Sequence, residues 1–435
     1  MGKILFVDLS RKQLEDKILD EQFCRDFIGG YGFGAQILFE RLKAGVDPLG
    51  PDNIFGVLTG PLTGTPMLSG SRYTVVGKSP LTGGWGDANS GGDFGPNLKF
   101  SGYDGVFFTG ISAEPVYLFI EDGKAEIRNA AHLWGKDTFE TEDILKDELG
   151  GKVHTVCIGP SGEKLSLIAA VMNNRGRAAA RSGLGAVMGS KKLKAVAVIG
   201  SMKVPLADEK KADEMRKKYI ADLGGPIVDM FRNYGTPGAT ARSAHSGDSP
   251  VKNWGGVGAI DFPNPTPIGG DAVIALQSKR YACWHCAIGC GGHLKAGTEY
   301  EYESGGHKPE YETMAAFGTL CLNNNVESII KANDICNRYG LDTISAGSAI
   351  AFAIECYENG LITKADTGGI ELTWGNHKAI VAMTEKLARR EGFGNVLADG
   401  VKSAAQKIGK GSEQYAMHIQ GQELPMHDPK LGFAY

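Results

Sequence analysis

Tyr281-Ala-Cys-Trp-His-Cys-Ala-Ile-Gly-Cys-Gly-Gly292 is the stretch around which the chain is organised. Its thiols, Cys283, Cys286 and Cys290, fall at the spacing C-x-x-C-x-x-x-C and run directly into two glycines. Such short spacing lets thiolates converge on one inorganic centre, and glycines let backbone approach it closely. A cubane iron–sulfur cluster takes four thiolates, so three in a row predict a fourth from a distant part of the chain. Spacing alone leaves two other readings open. One is a structural zinc knuckle with His285 or His293 as fourth ligand. The other is a pair of buried free cysteines that happen to lie close together.

Working outward, 435 residues exceed one ordinary core, so two or three domains are expected. Apolar residues at 42% and charged residues at 22% are the mix of a soluble globular protein. The absence of any run of ~20 apolar residues argues against a membrane span. Met1-Gly-Lys-Ile-Leu-Phe-Val-Asp-Leu9 starts directly as an alternating strand and lacks the apolar core of a secretory signal. A cytoplasmic, reducing compartment is expected, in which clustered cysteines are ligands rather than disulfides. Cys24, Cys157, Cys321, Cys336 and Cys356 are scattered singly, and most of them read as core residues. A net charge of −4 without a Lys/Arg stripe makes nucleic acid an unfavoured partner. Radical-SAM proteins use the reverse cysteine order, C-x-x-x-C-x-x-C, and are disfavoured. Glycine is in excess, 62 in all, about twice the ~7% norm. That excess implies many tight turns, as in a protein that wraps a large, phosphate-bearing cofactor.

The first 204 residues read mostly as strands: Lys3–Leu9, Gly105–Gly110, a hairpin from Val116 to Ile127 turning at Asp122-Gly123, Val153–Ile158 and Lys194–Ile199. A helix is predicted across Phe27–Leu42. Gly30-Tyr-Gly-Phe-Gly34 looks like a dinucleotide fingerprint, but Glu21–Phe27 is not a convincing strand, so glycines fitting a helix against a sheet are the better reading. Two polar, glycine-rich segments stand apart, one from Gly60 to Gly92 and one from Asn173 to Gly189. Their arginines and small residues suit phosphate or a polar heterocycle, although solvated surface turns have the same composition. A charged helix over Asp208–Leu223 marks a boundary near residue 205. Residues 225–270 read as loop-rich. After the cysteines come helices at Met314–Leu322, Val326–Tyr339, Ile344–Tyr357 and His377–Glu391.

With those segments placed, the chain resembles the tungsten-containing aldehyde:ferredoxin oxidoreductase family over essentially its whole length. The residues that carry the resemblance include Gly60-Pro-Leu-Thr-Gly-Thr65, Arg72-Tyr73, Lys78-Ser-Pro-Leu-Thr-Gly83, Ala88-Asn-Ser-Gly-Gly92 and Gly185-Ala-Val-Met-Gly-Ser-Lys191. The three cysteines, Pro309-Glu-Tyr-Glu312, Gly340-Leu-Asp-Thr343 and Glu423-Leu-Pro-Met-His-Asp-Pro429 continue it. The resemblance implies an α+β protein with a β-sheet-rich base domain over residues 1–204. A helical domain carrying the cysteines would span 205–412, and an incomplete third domain would begin at 413–435.

It further implies a tungsten (or molybdenum) bis-pyranopterin, a [4Fe-4S] cluster held by Cys283, Cys286 and Cys290, and a magnesium ion bridging pterin phosphates. Arg72 would bridge cluster and pterin, while Asn89, Ser90, Gly91, Arg177, Ala178 and Arg181 would hold pterin phosphates. Asn337, Gly340, Leu341 and Asp342 match one half of a paired pterin motif, and Glu312 matches an active-site carboxylate. The implied reaction is oxidation of a small aldehyde to the acid, with electrons passing to ferredoxin or an electron-transfer subunit in a homo- or hetero-oligomer. Reduction of an aromatic acid derivative, and a non-catalytic cluster- or zinc-binding homologue, are the alternatives.

This sequence departs from the family pattern in places. Asn337 replaces an aspartate of the pterin motif. Lys331 stands where some relatives place a glutamate for a metal at a dimer interface, so no such metal is expected. Asp93 has no explanation in the motif. Family chains run past residue 435, so the fourth cluster cysteine, a second pterin motif and an active-site histidine are expected beyond Tyr435. Residues 1–435 alone are then not expected to make an intact oxidoreductase.

Overall fold

The computed structural model describes residues 2–431. They divide into two compact units. The first comprises residues up to Leu223 together with Ala282–Ala287 and Arg338–Gly340; the second comprises Gly224–Tyr281, Ile288–Asn337 and the chain from Leu341 onward.

The first unit is built, among the described residues, from two six-stranded sheets. The strands are β1 (Lys3–Asp8), β2 (Gln13–Ile18), β3 (Phe55–Thr59), β4 (Tyr73–Lys78), β5 (Trp85–Ser90) and β6 (Gly105–Thr109), then β7 (Val116–Glu121), β8 (Lys124–Asn129), β9 (His154–Cys157), β10 (Val171–Asn173), β11 (Arg177–Ala179) and β12 (Leu193–Ile199). The sheet orders are β2-β1-β6-β3-β4-β5 and β8-β7-β12-β9-β10-β11, so adding six to each strand of the first gives the second. Pairing directions match as well: β1–β6 and β7–β12 are parallel, and every other pair is antiparallel. Helices recur at equivalent places, Tyr31–Arg41 and Thr138–Leu149 after the second strand of each set, Phe94–Phe100 and Leu184–Ser190 before the sixth. The unit is a topological duplication.

Strand alternation explains the packing. On β1, Leu5 and Val7 join one large core while Ile4 faces a second; on β6, Val106 and Phe108 go one way and Phe107 the other. On β7 and β12, Leu118, Ile120, Val196 and Val198 share the large core with Leu5 and Val7, and Tyr117, Phe119, Ala195 and Ala197 face a third. Both faces of these strands are therefore covered, which is why Gly105–Thr109 reads as a continuous apolar run. The helix Tyr31–Arg41 covers one outer face through Phe33, Ile37 and Leu38. A Cβ at Gly34 would stand 2.9 Å from Val76 Cγ1, so the glycine there serves close helix–sheet approach, as the sequence reading preferred. Glu21–Phe27 is a short helix, and the predicted single helix from Phe27 is interrupted at Ile28, whose φ of 65° ends the first turn set.

The second unit is mostly helical. The helix Thr343–Glu358 has nearly every residue from Ser345 to Ile354 buried, and Tyr311–Phe317, His377–Arg389, Gly394–Leu397 and Gly400–Ile408 pack on it. Asp342 caps that helix, its carboxylate accepting from Ile344 N at 3.0 Å. The segment 225–270, expected to be loop-rich, instead carries the helices Pro226–Asn233, Thr240–Ser246 and Gly258–Asp261. Their short lengths and the interspersed Gly and Pro conceal helical periodicity in the sequence. The strands Gln277–Tyr281 and Gly291–Leu294 pair antiparallel and flank the cysteine stretch. No helix among the described residues is long and apolar enough to cross a membrane.

Candidate cofactor and active sites

In the first unit, the two arginine-bearing segments meet where β5 and β11, the last strands of their sheets, lie side by side. Asn173, fully buried at the end of β10, ties them together. Its Oδ1 accepts from Tyr73 OH at 2.9 Å and Ser90 Oγ at 3.0 Å, and its Nδ2 donates to Gly91 O at 2.9 Å. Burial holds the Tyr73 hydroxyl far above the usual phenol range, so it stays a neutral donor. Ser182 Oγ donates to Asp87 O at 3.1 Å, a second link between the segments. Asp93, unexplained in the sequence, is held by Asn174: its N–H donates to Asn174 Oδ1 at 3.2 Å, and its carboxylate accepts from Asn174 Nδ2 at 3.4 Å.

Gly91 is the focus of this arrangement. A Cβ added there would stand 2.8 Å from Cys283 Sγ, 3.5 Å from Arg177 Nη1 and 3.7 Å from Arg72 Nη1. One backbone position thus brings together a thiol and two guanidinium groups in space that any side chain would fill. Trp284 N donates to Gly92 O at 3.3 Å, and the Trp284 ring packs edge-on to Phe100 with centroids 5.7 Å apart, which seats the cysteine segment against this cradle. Ser90 is buried, Asn89 and Arg72 are exposed, and Arg177, Ala178 and Arg181 are half-buried on the neighbouring strand and turn. Asn89 Nδ2 donates to Tyr31 OH at 2.6 Å, beside a cavity of about 520 Å³ lined by Gly30, Arg72, Thr74 and Asn89.

Cys283 and Cys286 form a tight turn, Cys286 N donating to Cys283 O at 3.0 Å. Among the described residues no group of three His, Cys, Asp or Glu side chains is arranged to hold a metal ion. The three thiols of the stretch differ from four of the other five cysteines; Cys24, like them, is partly exposed. Cys157, Cys321, Cys336 and Cys356 are buried, and burial pushes their thiols up, Cys356 to about 12, which leaves them inert. Cys283, Cys286 and Cys290 are partly exposed. The imidazoles considered as zinc ligands have other engagements. His285 stacks on Trp284 at 3.8 Å between centroids; His293 Nδ1 lies 2.9 Å from Gly305 O and its ring stacks on Tyr281.

Gly340, in the first unit, has φ of 73° and its carbonyl accepts from Ala170 N at 2.9 Å. In the second unit Asn337 and Leu341 are buried. Asp342, besides capping its helix, accepts from Ser345 Oγ at 2.8 Å, and Ser345 Oγ is also 2.6 Å from Glu423 Oε2. Lys331 Nζ donates to Glu301 O at 2.6 Å, so its ammonium is committed to a backbone carbonyl.

The second unit also contains an arrangement that sequence reasoning missed. Glu312 Oε2 accepts from Met426 N at 2.8 Å, and Oε1 lies 3.5 Å from His427 Nε2. His427 Nδ1 lies 2.9 Å from Asp248 Oδ1. The Glu423-to-Pro429 motif carried the signal, but Asp248 lies 179 residues away in sequence and no local pattern points to it.

Cationic groups and exposed backbone converging on a glycine beside partly exposed thiols suit an anionic, phosphate- or sulfur-bearing redox cofactor. The residues present therefore fit a pterin dithiolene, and the thiol pair fits a neighbouring iron–sulfur centre. Comparison with known proteins gives the class its family. Residues 4–200 match the aldehyde ferredoxin oxidoreductase N-terminal domain, and residues 211–435 match domains 2 and 3 of the same family. The chain belongs to the aldehyde ferredoxin oxidoreductase family. It is 40% identical to the tungsten-containing aldehyde ferredoxin oxidoreductase of Pyrococcus furiosus, over all of this chain and 72% of that protein. It is 33% identical to the WOR-like subunit of an aliphatic sulfonate oxidoreductase from the same organism, over 98% of this chain and 71% of that one. A solved structure, the active-site complex of benzoyl coenzyme A reductase with 1,5-dienoyl-CoA, superposes with a TM-score of 0.88 at 30% identity, over 98% of this chain and 66% of that one. Relatives with such different names fix the class as an oxidoreductase of this family and leave the substrate open.

Proposed function

We propose that the enzyme to which these residues belong carries out the two-electron oxidation of a small aldehyde with water to the carboxylic acid, R–CHO + H2O → R–COOH + 2 H⁺ + 2 e⁻. The observation that carries the reading is the Gly91 cradle, where Arg72, Arg177 and Cys283 surround a position that has no side chain. Arg72, Asn89, Ser90, Gly91, Arg177, Ala178 and Arg181 would hold the phosphates and polar edges of a tungsten or molybdenum bis-pyranopterin, with magnesium as a phosphate counter-ion. Asn337, Gly340, Leu341 and Asp342 would contribute a second set of pterin contacts, while Cys283, Cys286 and Cys290 would ligate a [4Fe-4S] cluster. When bound, the metal supplies Lewis-acid polarisation of the carbonyl or its hydrate, and the two-electron sink.

Glu312 is the proton acceptor in this reading. Hydration and oxidation release two protons, and a carboxylate held by Met426 N–H has one oxygen, Oε1, turned toward His427 rather than the backbone. Electrons leave singly to ferredoxin or an electron-transfer subunit, in the cytoplasmic setting where clustered thiols serve as ligands.

In the metal-loaded enzyme, Glu312→Gln is expected to lower kcat for acetaldehyde with benzyl viologen as acceptor by about 10²-fold or more, at unchanged metal content. Unchanged turnover would remove Glu312 from the reaction. The 30% identical benzoyl-CoA reductase complex makes reduction of an aromatic acid derivative the second reading. Product analysis with a reduced viologen and an aromatic thioester separates the two.

A further inference from the structure

Glu312 is not alone. Asp248 Oδ1, His427 Nδ1, His427 Nε2 and Glu312 Oε1 stand in line, at 2.9 Å for the first contact and 3.5 Å for the last. From this line we infer that Asp248 and His427 are positioning residues that carry the proton away from Glu312; the inference rests on the reading of Glu312 as proton acceptor.

The aspartate fixes the imidazole tautomer. A carboxylate on Nδ1 takes the N–H there, which leaves the Nε2 lone pair facing the glutamate. When Glu312 gains a proton, its O–H can pass that proton to Nε2. The carboxylate is regenerated, and the imidazolium formed lies between two negative groups, Asp248 and Glu312, which stabilise it. No bond other than O–H breaks and none other than N–H forms. The His427 side chain is 41% exposed against 30% for Glu312 and 20% for Asp248, so the imidazole is the member of the line best placed to release the proton to water. The other charges on the same segment, Asp428 and Lys430, pair with each other at 3.2 Å and do not compete for it.

A structural clamp is the competing account, because the contacts join residues 248, 312 and 427. The segment is however already fastened without the imidazole. Met426 N donates to Glu312, Tyr311 OH donates to Met426 O at 2.6 Å, and Asp428 N donates to Asp248 O at 2.5 Å. The Asp248 bond is through its backbone carbonyl, so replacing either side chain of the pair leaves this fastening in place. The Tyr311 ring lies 5.2 Å from His427, centroid to centroid, and holds the imidazole from one side.

The test is a double-mutant cycle in the holoenzyme, reading kcat, KM and the pH dependence of kcat for acetaldehyde with benzyl viologen, with tungsten, molybdenum and iron content measured on every variant. His427→Gln should lower kcat about 10- to 100-fold with KM changed less than about threefold. Asp248→Asn should lower kcat about 10-fold and displace the limb of the pH profile that His427→Gln abolishes. Both should lose their effect in a Glu312→Gln background, since a relay has nothing to relay once its donor is gone. Full additivity in that background would overturn the inference, as would wild-type kcat and pH profile in His427→Gln or a loss that follows metal content. Failure of Glu312→Gln itself to slow turnover would instead remove the reading beneath, which keeps the two failures apart.

Discussion

Single residues here carry opposite burdens, and Glu142 shows it most plainly. It is 4% exposed, accepts from Arg175 N at 3.1 Å, and burial raises its carboxyl to about 7. The folded state therefore binds a proton that the unfolded state has already released, so the destabilising charge appears as pH rises from the unfolded value near 4.5 through about 7. The full cost, roughly 3 kcal/mol, should be present above that window and absent below pH 4.5. Glu142→Gln keeps the acceptor for Arg175 N–H and removes the charge. Its Tm should match wild type near pH 4, below the unfolded value, and exceed it at pH 8; equal Tm values at pH 8 would contradict the assignment. At this scale the sequence was partly legible. The cysteine cluster stood out by its spacing and Arg72 and Arg177 by the polar, glycine-rich segments that carry them, while Glu312 was singled out only through the family motif. Glu142, Asn173 and Asp248 did not stand out, since their roles depend on partners remote in sequence.

Among elements, the β10–β11 hairpin matters most for the cradle because Asn173 fastens it to β4 and β5. Asn173→Leu would strand the buried Tyr73 hydroxyl and Ser90 Oγ, a loss of about 3 kcal/mol and roughly 6–12 °C in Tm. Removing the stranded hydroxyl as well, in Asn173→Leu/Tyr73→Phe, should recover part of that loss. Calorimetry that found the double variant less stable than the Asn173→Leu single variant would count against the pairing. The strands β1, β6, β7, β8, β9 and β12 and the helices Val326–Tyr339, Thr343–Glu358 and His377–Arg389 were legible because their apolar periodicity is clean, whereas Gly394–Leu397 and Gly400–Ile408 were not read. β2, which is exposed throughout and so carries no apolar alternation, and β3, β4, β5, β10 and β11 were not read as strands. Gly56, Gly77, Gly86 and the polar Asp87-Ala-Asn-Ser90 interrupt the pattern, and short edge strands carry too few residues to show a period. Composition alone could not distinguish these segments from solvated turns.

For the whole molecule, the duplication of six strands and two helices was invisible in the residues and evident in the topology. It has a functional corollary. Each copy contributes an edge strand, β5 or β11, to the same place, so arginines and glycines far apart in sequence surround Gly91. The α+β class and the family were readable from motifs in order, while the substrate was not, because relatives named for aldehyde, sulfonate and benzoyl-CoA chemistry share this framework. The central claim is that this framework holds a tungsten or molybdenum pterin beside an iron–sulfur cluster. Metal and acid-labile sulfide analysis of protein purified anaerobically from its natural host tests it most directly. The account predicts tungsten or molybdenum together with iron and sulfide in the same preparation. Zinc alone, at about one atom per chain as a structural knuckle would bind, would contradict it.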